Sequence, residues 1–388
     1  MTIIKSFPIF IAYLLLTTSC ESLPEIEIPA DIASMEHLDV FSIEEAPKGS
    51  VSFERVTAFG DTEEFYFGQL GSITVDDSDR VYRADGREGL IHVYHSDGSY
   101  IRSLGRKGGG PGEFQSITSM QSDHSLLYVM DIIQRRLTAF HLDDLSLAFT
   151  LNPGSEQDEI TGNPVDFAIL SNGNLLVFHR SIVPENDTVW QQDNASIFDR
   201  DGQVLKANIF NFEPSKRTFL QTDQGFVNMT FPFTNRSVTF AGLDDLLYYG
   251  FNDRMFIQVF NMDGSYHRAI YYDHPNAPFN HQHYLDQFRN NEIIHEALQR
   301  LEMPALMPAF SRFFVDDENR IWVNIINDDQ STTEWWILND DGSRLAVFHT
   351  DTRNIYQFVK NGYVYVIEYD EKGAREMVKY RIGFRYEA

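Results

Sequence analysis

From residue 51 onward the chain alternates short apolar runs with polar turns rich in Asp, Asn and Gly. The clearest unit begins at Ile73-Thr74-Val75 and turns at Asp76-Asp77-Ser78-Asp79. It continues through strands at 80–85 and 90–94, a turn at Ser96-Asp97-Gly98 and a strand at 100–104. Four strands within about thirty residues leave no room for crossover helices, so the unit is an antiparallel meander. The same order recurs at 117–131 with 136–151, 166–180 with 195–209, 237–251 with 256–270, 312–325 with 335–349, and 356–369 with 376–384.

Recurrence at a fixed spacing points to a radial array of sheets. The last unit is one strand short, and residues 51–59, which have strand composition, can supply its outer strand. The expected fold is therefore all-β, a six-bladed β-propeller closed by an N-terminal strand and occupying residues 51–388. A β-sandwich is the alternative. A helix is expected at about 281–303, inserted between blades four and five: Tyr284, Leu285, Phe288, Ile294, Leu298 and Leu301 share one helical face, and Pro304 ends it. Such a stripe is expected to pack on the blades.

The N-terminus has a different character. Residues 1–19 carry a lone cation at Lys5, an apolar stretch at 7–16 too short to span a bilayer, and the small polar run Thr17-Thr18-Ser19 before Cys20. Leu16-Thr17-Thr18-Ser19-Cys20 resembles the lipobox of bacterial lipoproteins, with Thr17 where that family prefers Leu. The resemblance implies a signal peptide over 1–19, a diacylglyceryl thioether on Cys20 and attachment to the outer membrane, on its periplasmic or surface side, by the lipid alone. An ordinary secretory signal is the alternative. Residues 20–50 hold eight acidic side chains against Lys48 and read as a solvated tether.

Leu104-Gly105-Arg106-Lys107-Gly108-Gly109-Gly110-Pro111-Gly112-Glu113-Phe114 resembles the glycine-rich link between blades of NHL-repeat propellers, and residues 80–85 resemble their second strand. The match is strongest over residues 71–140. The whole plan of lipobox, acidic tether and six blades resembles the NHL-repeat, TolB-like propeller lipoproteins of Bacteroidota.

Strand order assigns the connections to two faces. First-to-second and third-to-fourth turns share one side, where every turn is minimal and its Asp, Asn and Gly serve turn geometry. Second-to-third loops and blade-to-blade links share the other. The long excursions at 179–194, 210–236 and 271–311 all belong to this second side, which makes it the expected functional face. Arg87, Arg135, Arg180 and Arg254 map there and are candidates to gather an anionic ligand, with salt bridges to Glu88, Asp131 or Asp253 as the competing role. Residues 219–233, including Phe231, together with Trp190, form either a stacking platform for a sugar or peptide or an apolar pin for the long link.

Composition narrows the function. The 388 residues are 43% hydrophobic and 14% aromatic, enough for a large core, and 57 acidic against 31 basic residues give a formal net charge of −26. That balance argues against a nucleic-acid surface. A single cysteine excludes an intramolecular disulfide or a cysteine-rich zinc site. His295-Glu296-Ala297-Leu298-Gln299 lacks the second His of a zincin, and His281 and His283, two apart, do not share a helical face. No nucleophile elbow or phosphate loop is present. The starts of the innermost strands offer Ser72, Ser116, Asp166, Arg236, Arg312 and Gln357, one carboxylate beside two cations. This set does not suit the channel calcium of lactonase-type propellers, which the architecture resembles, unless second-strand residues such as Asp131 or Asn324 contribute, and no inner strand clearly carries histidine for a channel zinc.

No catalytic residue, metal ligand or cofactor is therefore expected. The expectation is a monomeric, non-catalytic envelope binding protein that recognises a protein, or a small anionic or carbohydrate ligand, through its long-loop face. A hydrolase or lyase acting on a sugar or lactone, and a structural envelope protein, are the alternatives.

Overall fold

The computed structural model describes residues 26–59, 70–153, 160–185, 188–221, 223, 226–327, 332–369 and 375–386. The leader at 1–19 and Cys20 lie outside them. A short helix, α1 (Ala30–Ala33), precedes β1 (Leu38–Phe41) and β2 (Gly49–Phe59). Blade one is β3 to β6 (Leu70–Val75, Val81–Asp85, Leu90–Tyr94, Tyr100–Gly105), and blade two is β7 to β10 (Ile117–Ser122, Leu126–Asp131, Arg136–His141, Leu147–Leu151). Blade three is β11 to β14 (Asn163–Ile169, Leu175–Glu185, Thr188–Phe198, Val204–Asn211), extended by β15 (Ser215–Gln221) and β16 (Phe226–Met229). Blade four is β17 to β20 (Ser237–Ala241, Leu246–Phe251, Phe256–Asn261, Tyr266–Tyr272), followed by α2 (His281–Gln287) and α3 (Glu292–Arg300). Blade five is β21 to β24 (Phe310–Val315, Ile321–Ile325, Thr332–Leu338, Arg344–Asp351). Blade six joins β25 to β27 (Ile355–Lys360, Tyr363–Tyr369, Arg375–Tyr386) with β2 as its outer strand. The protein is a six-bladed β-propeller, and β2 pairs antiparallel with β27 from Gly49 opposite Tyr386 to Phe59 opposite Met377.

Period-two alternation builds the ring. Successive residues of a strand face opposite sides of its sheet, so each second strand feeds two interfaces at once. Val81 joins the core shared by blades six and one, while Tyr82 joins that of blades one and two. Leu127 and Tyr128, Leu247 and Tyr248, and Trp322 and Val323 divide between neighbours in the same manner. One apolar core therefore fills each of the six blade junctions.

An aspartate repeats at the first turn of four blades, buried at Asp76 and Asp316, half-buried at Asp123 and exposed at Asp244. Asp76 Oδ1 accepts the N–H groups of Ser78 and Arg80 at 2.9 Å, and its Oδ2 accepts Tyr82 Oη at 2.9 Å and Arg80 Nε at 2.7 Å. Asp316 repeats this with Glu318 and Arg320 amides, Arg320 Nε and the Trp322 indole N–H. Asp123 and Asp244 likewise receive Tyr128 and Tyr248 hydroxyls, both at 3.1 Å. One carboxylate thus closes the turn and fixes the largest side chain of the next strand.

Two expectations change. From Pro29 onward the acidic segment is a strap and not a free tether. β1 pairs in parallel with β20, Phe41 stacks on Tyr272 at 5.1 Å, Arg344 Nη2 donates to the Ile43 carbonyl at 2.8 Å, and Lys48 Nζ to Ser343 Oγ at 2.8 Å. Backbone pairing is indifferent to side-chain charge, so the acidic composition did not reveal it. Gly342 lies beneath this strap at φ +86°, where a Cβ would meet the Phe41 ring and Ile270 at 2.9 Å. The inserted helix is two helices, because Asn280 and Asn291 each accept the amide three residues on as N-caps and the chain turns at Phe288. Among the described residues no helix is long and apolar enough to cross a membrane.

Asp316→Ala removes four hydrogen bonds and leaves Arg320, whose side chain is 8% exposed, with Glu318 as its carboxylate partner. The expected loss is about 3–5 kcal/mol, measured by urea unfolding. Asp76→Ala, facing the more open Arg80 at 22%, is expected to cost less.

Candidate functional site

The described residues of the three long excursions form regular strands and helices with their connections. The expected loop at 179–194 continues β12 and β13 as a hairpin paired from Leu175 opposite Phe198 to Glu185 opposite Thr188. The link at 210–236 folds back as β15 and β16, and β15 extends the same sheet by pairing Val189, Trp190 and Gln191 with Arg217, Lys216 and Ser215. The third excursion packs α2 and α3 against the second: Phe231, Phe233, Tyr284, Ala297, Leu298 and Met307 form one core. Phe231 stacks on Phe233 at 5.0 Å, and Phe233 meets Tyr284 edge-on at 5.1 Å. The excursions thus fuse into one cap over blades three to five.

This core settles the role of Phe231. It is completely buried, so it pins the link to the helices and presents no face to a ligand. The helix stripe packs chiefly on this link. His281 and His295 serve the same packing, their ring nitrogens lying 3.2 Å from the carbonyls of Leu298 and Leu285 on the opposite helix.

The candidate arginines occupy one face but separate blades. Arg87 is exposed beside Glu88, with Nε 3.8 Å from Oε1. Arg135 is exposed in the β8–β9 turn at φ 50°. Arg254 is held by Asp253 and by Asp31 of the strap, both at 3.3 Å. Trp190 is half-buried opposite Val183 and beside Lys216. Of the candidates, Arg180 lines a cavity of about 440 Å³ between the cap and the first residues of β17 and β21. Its fork holds Asp193 at 2.9 and 2.8 Å.

The other cations of that cavity are Arg217, Arg236 and Arg312. Arg217 Nη2 donates to the Asn228 carbonyl at 3.0 Å. Arg236 Nη2 donates to the Ser311 carbonyl at 2.9 Å, and Arg312 Nη2 to the Gln357 carbonyl at 3.3 Å, each bond crossing to the next blade. Burial, and then the charge of Arg236, push the Arg312 guanidinium down to about 10. Burial, and then Arg180, lower Arg236. Asp166, on β11 of the adjoining blade three, is pushed up by desolvation, against the Phe167 N–H at 2.8 Å and the charge of Arg180. Arg236 and Arg312 were legible as residues of the channel mouth; their being unneutralised neighbours was not, because that depends on which blades adjoin.

The glycine link binds an anion of its own. Glu113 Oε2 takes the Gly110 N–H at 2.8 Å, which with Arg106 holds this carboxyl below its usual range. Arg136 donates to the Gly109 and Gly110 carbonyls at 3.1 and 2.8 Å. The run is a stapled blade link. Among the described residues, no three His, Cys, Asp or Glu side chains gather as a metal-holding group.

Comparison with known proteins agrees with the architecture. Residues 55–240 match the family model DUF5128, described as a 6-bladed beta-propeller. Among solved structures, a protein described as exported from Bacteroides fragilis NCTC 9343 aligns at 12% identity with a TM-score of 0.54, covering 90% of this chain and 100% of that one. A member of the duf4221 family from Bacteroides vulgatus ATCC 8482 aligns at 10% identity and a TM-score of 0.49, covering 88% and 100%. Virginiamycin B lyase from Staphylococcus aureus aligns at 8% and 0.43, covering 86% and 99%. These likenesses are of fold alone. No curated protein matches the chain.

Phe231→Ala is expected to cost about 3–5 kcal/mol as a core truncation and to expose residues 219–233 to protease. A ligand platform would instead lose binding at unchanged stability, so urea unfolding and limited proteolysis separate the two roles.

Proposed function

We propose that this protein is a non-catalytic binding protein of a bacterial envelope, lipid-anchored through Cys20 in the outer membrane, recognising its ligand or partner through the long-loop face. The observation that carries the reading is the fused cap: three separate excursions converge on one rim and enclose the cavity of about 440 Å³ there. Cavities of this size on a rigid scaffold are characteristic of ligand sites. The opposite rim carries short turns whose side chains are engaged with one another, as in Lys360 to Asp77 at 3.0 Å and Asn361 Nδ2 to Asp79 at 2.7 Å. Binding is favoured over catalysis because Asp166 faces arginines, with no second carboxylate among the described channel-mouth positions for acid–base work. The lipobox-like segment and the NHL-like link support the envelope lipoprotein assignment.

Photocrosslinking in intact cells tests the reading. A crosslinker at Ile182 or Val183, exposed on the hairpin of the long-loop face, is expected to give specific adducts; one at Leu243, exposed on a short turn of the other face, is not. Adducts from Leu243 alone would overturn the assignment of the face. Loss of palmitate labelling in Cys20→Ser checks the anchor.

A further inference from the structure

The cavity also indicates what kind of ligand it takes. A chain with 26 excess negative charges has carboxylates to spare, and three arginines elsewhere on this face accept one: Arg87 has Glu88, Arg180 has Asp193 and Arg254 has Asp253, whereas the exposed Arg135 and the cavity's Arg217, which is bonded to Asn228, form no ion pair among the described residues. Arg236 and Arg312 have no ion-pair partner among the described residues, although they stand at the starts of β17 and β21 on adjacent blades, half-buried in the same cavity. Each donates from Nη2 to one carbonyl of the next blade, and a guanidinium carries five N–H donors, so most of each fork remains for another acceptor.

Bringing two like charges together in a partly desolvated cleft is unfavourable, and single carbonyl bonds do not neutralise them. Their mutual effect is visible in Arg312, whose charge is disfavoured by burial and then by Arg236. Propeller closure does not demand this, since Ser72 and Gln357 fill equivalent inner-strand positions without charge. The wall between the arginines is hydroxyl and amide in character, with Ser237, Thr239, Ser311 and Gln191, and no aromatic ring lines it. A neutral sugar would find no stacking face there, whereas a small, hydrophilic, doubly charged anion would neutralise both guanidinium groups and take their free forks.

We infer that Arg236 and Arg312 form a binding site for a small organic dianion, of the dicarboxylate or phosphate monoester class, at the long-loop end of the channel. This rests on the long-loop face being the recognition face and specifies the chemistry of its cavity. Arg180, bound to Asp193, positions the rim of the site and contributes no unneutralised charge.

Isothermal titration calorimetry on the full chain in detergent tests it, with succinate, inorganic phosphate, acetate and glucose as probes. Succinate or phosphate is expected to bind at least about tenfold tighter than acetate, with glucose inert. Arg236→Gln and Arg312→Gln are each expected to weaken the dianion about 10- to 100-fold, the range of a charge-assisted hydrogen-bond pair. Arg236→Lys and Arg312→Lys keep the charge and the carbonyl bond. They are expected to hold the unfolding temperature while weakening succinate more than phosphate, because the lost feature is the planar fork. Response to succinate alone identifies a dicarboxylate, and response to phosphate alone a phosphate ester; either supports the site. Dianions binding no tighter than acetate, or equally well to both glutamine variants, would overturn it. Should the probes fail while crosslinks at Ile182 persist, the dianion site falls and the recognition face stands; loss of both removes both.

Discussion

The pairing of β2 with β27 is the interaction on which the rest depends. It joins residues near the two ends of the chain and so closes a loop of about 330 residues, an entropic cost on the order of 5 kcal/mol before any stiffness term. Side chains offset it. Phe53 from β2 lies against Phe348 at 4.9 Å and Tyr356 at 5.9 Å, tying blades five and six, and Phe59 is completely buried against Tyr94 of blade one at 5.8 Å. The fully buried Phe59 contributes roughly 1.5–3 kcal/mol by burial, and the half-buried Phe53 less. With the ring closed, the inner strands stand at fixed distances around the channel, and Arg236 and Arg312 are held as neighbours despite the 75 positions between Arg236 and Ser311, whose carbonyl links them.

The strap extends this logic beyond the ring. It passes from Arg254 on blade four to Arg344 and Ser343 on blade five before becoming the outer strand of blade six. Three blades are thus clamped by the segment that leads in from the N-terminus. The contacts combine backbone pairing with a few rings and cations.

The blades were legible because both of their signals are local. Asp-Gly turns and alternating apolar residues act over a few positions, and they located Val81–Asp85 and Leu90–Tyr94 as observed. The hairpin at 180–193 was misread as a loop because its apolar residues come as adjacent pairs, Ile182-Val183 and Val189-Trp190, and do not alternate with the polar ones. It projects beyond the blade core, and backbone pairing with its partner strand holds it. Residues 281–303 were read as one helix because the apolar stripe survives the break; Asn291 as an N-cap was the available signal. Arg180 could be picked out because it lies at the root of an excursion. The significance of Arg236 and Arg312 comes from the order of blades around the ring, which no local pattern contains.

The acidity of the chain has a structural origin, and it bears on the ligand. At third-to-fourth turns Asp97, Asp144, Asp263 and Asp341 each accept the amide of a serine two residues on. At Asp97, Asp144 and Asp263 these serine bonds hold the carboxyl below its usual range. With Asp76, Asp123, Asp244 and Asp316 at the first turns, carboxylates cap turns in nearly every blade. Part of the negative charge, these eight of 57 acidic residues, therefore accompanies a fold with many tight turns. Its field at long range repels anions, but it is screened within about 8–10 Å at physiological salt. Inside a cleft of that dimension the nearest charges decide: Arg236 and Arg312 form no ion pair among the described residues, and Asp166, the one carboxylate at the inner-strand starts, has its charged form disfavoured. Selectivity at the proposed dianion site is therefore a short-range matter, set by the apposition of β17 and β21 and not by the net charge of the molecule.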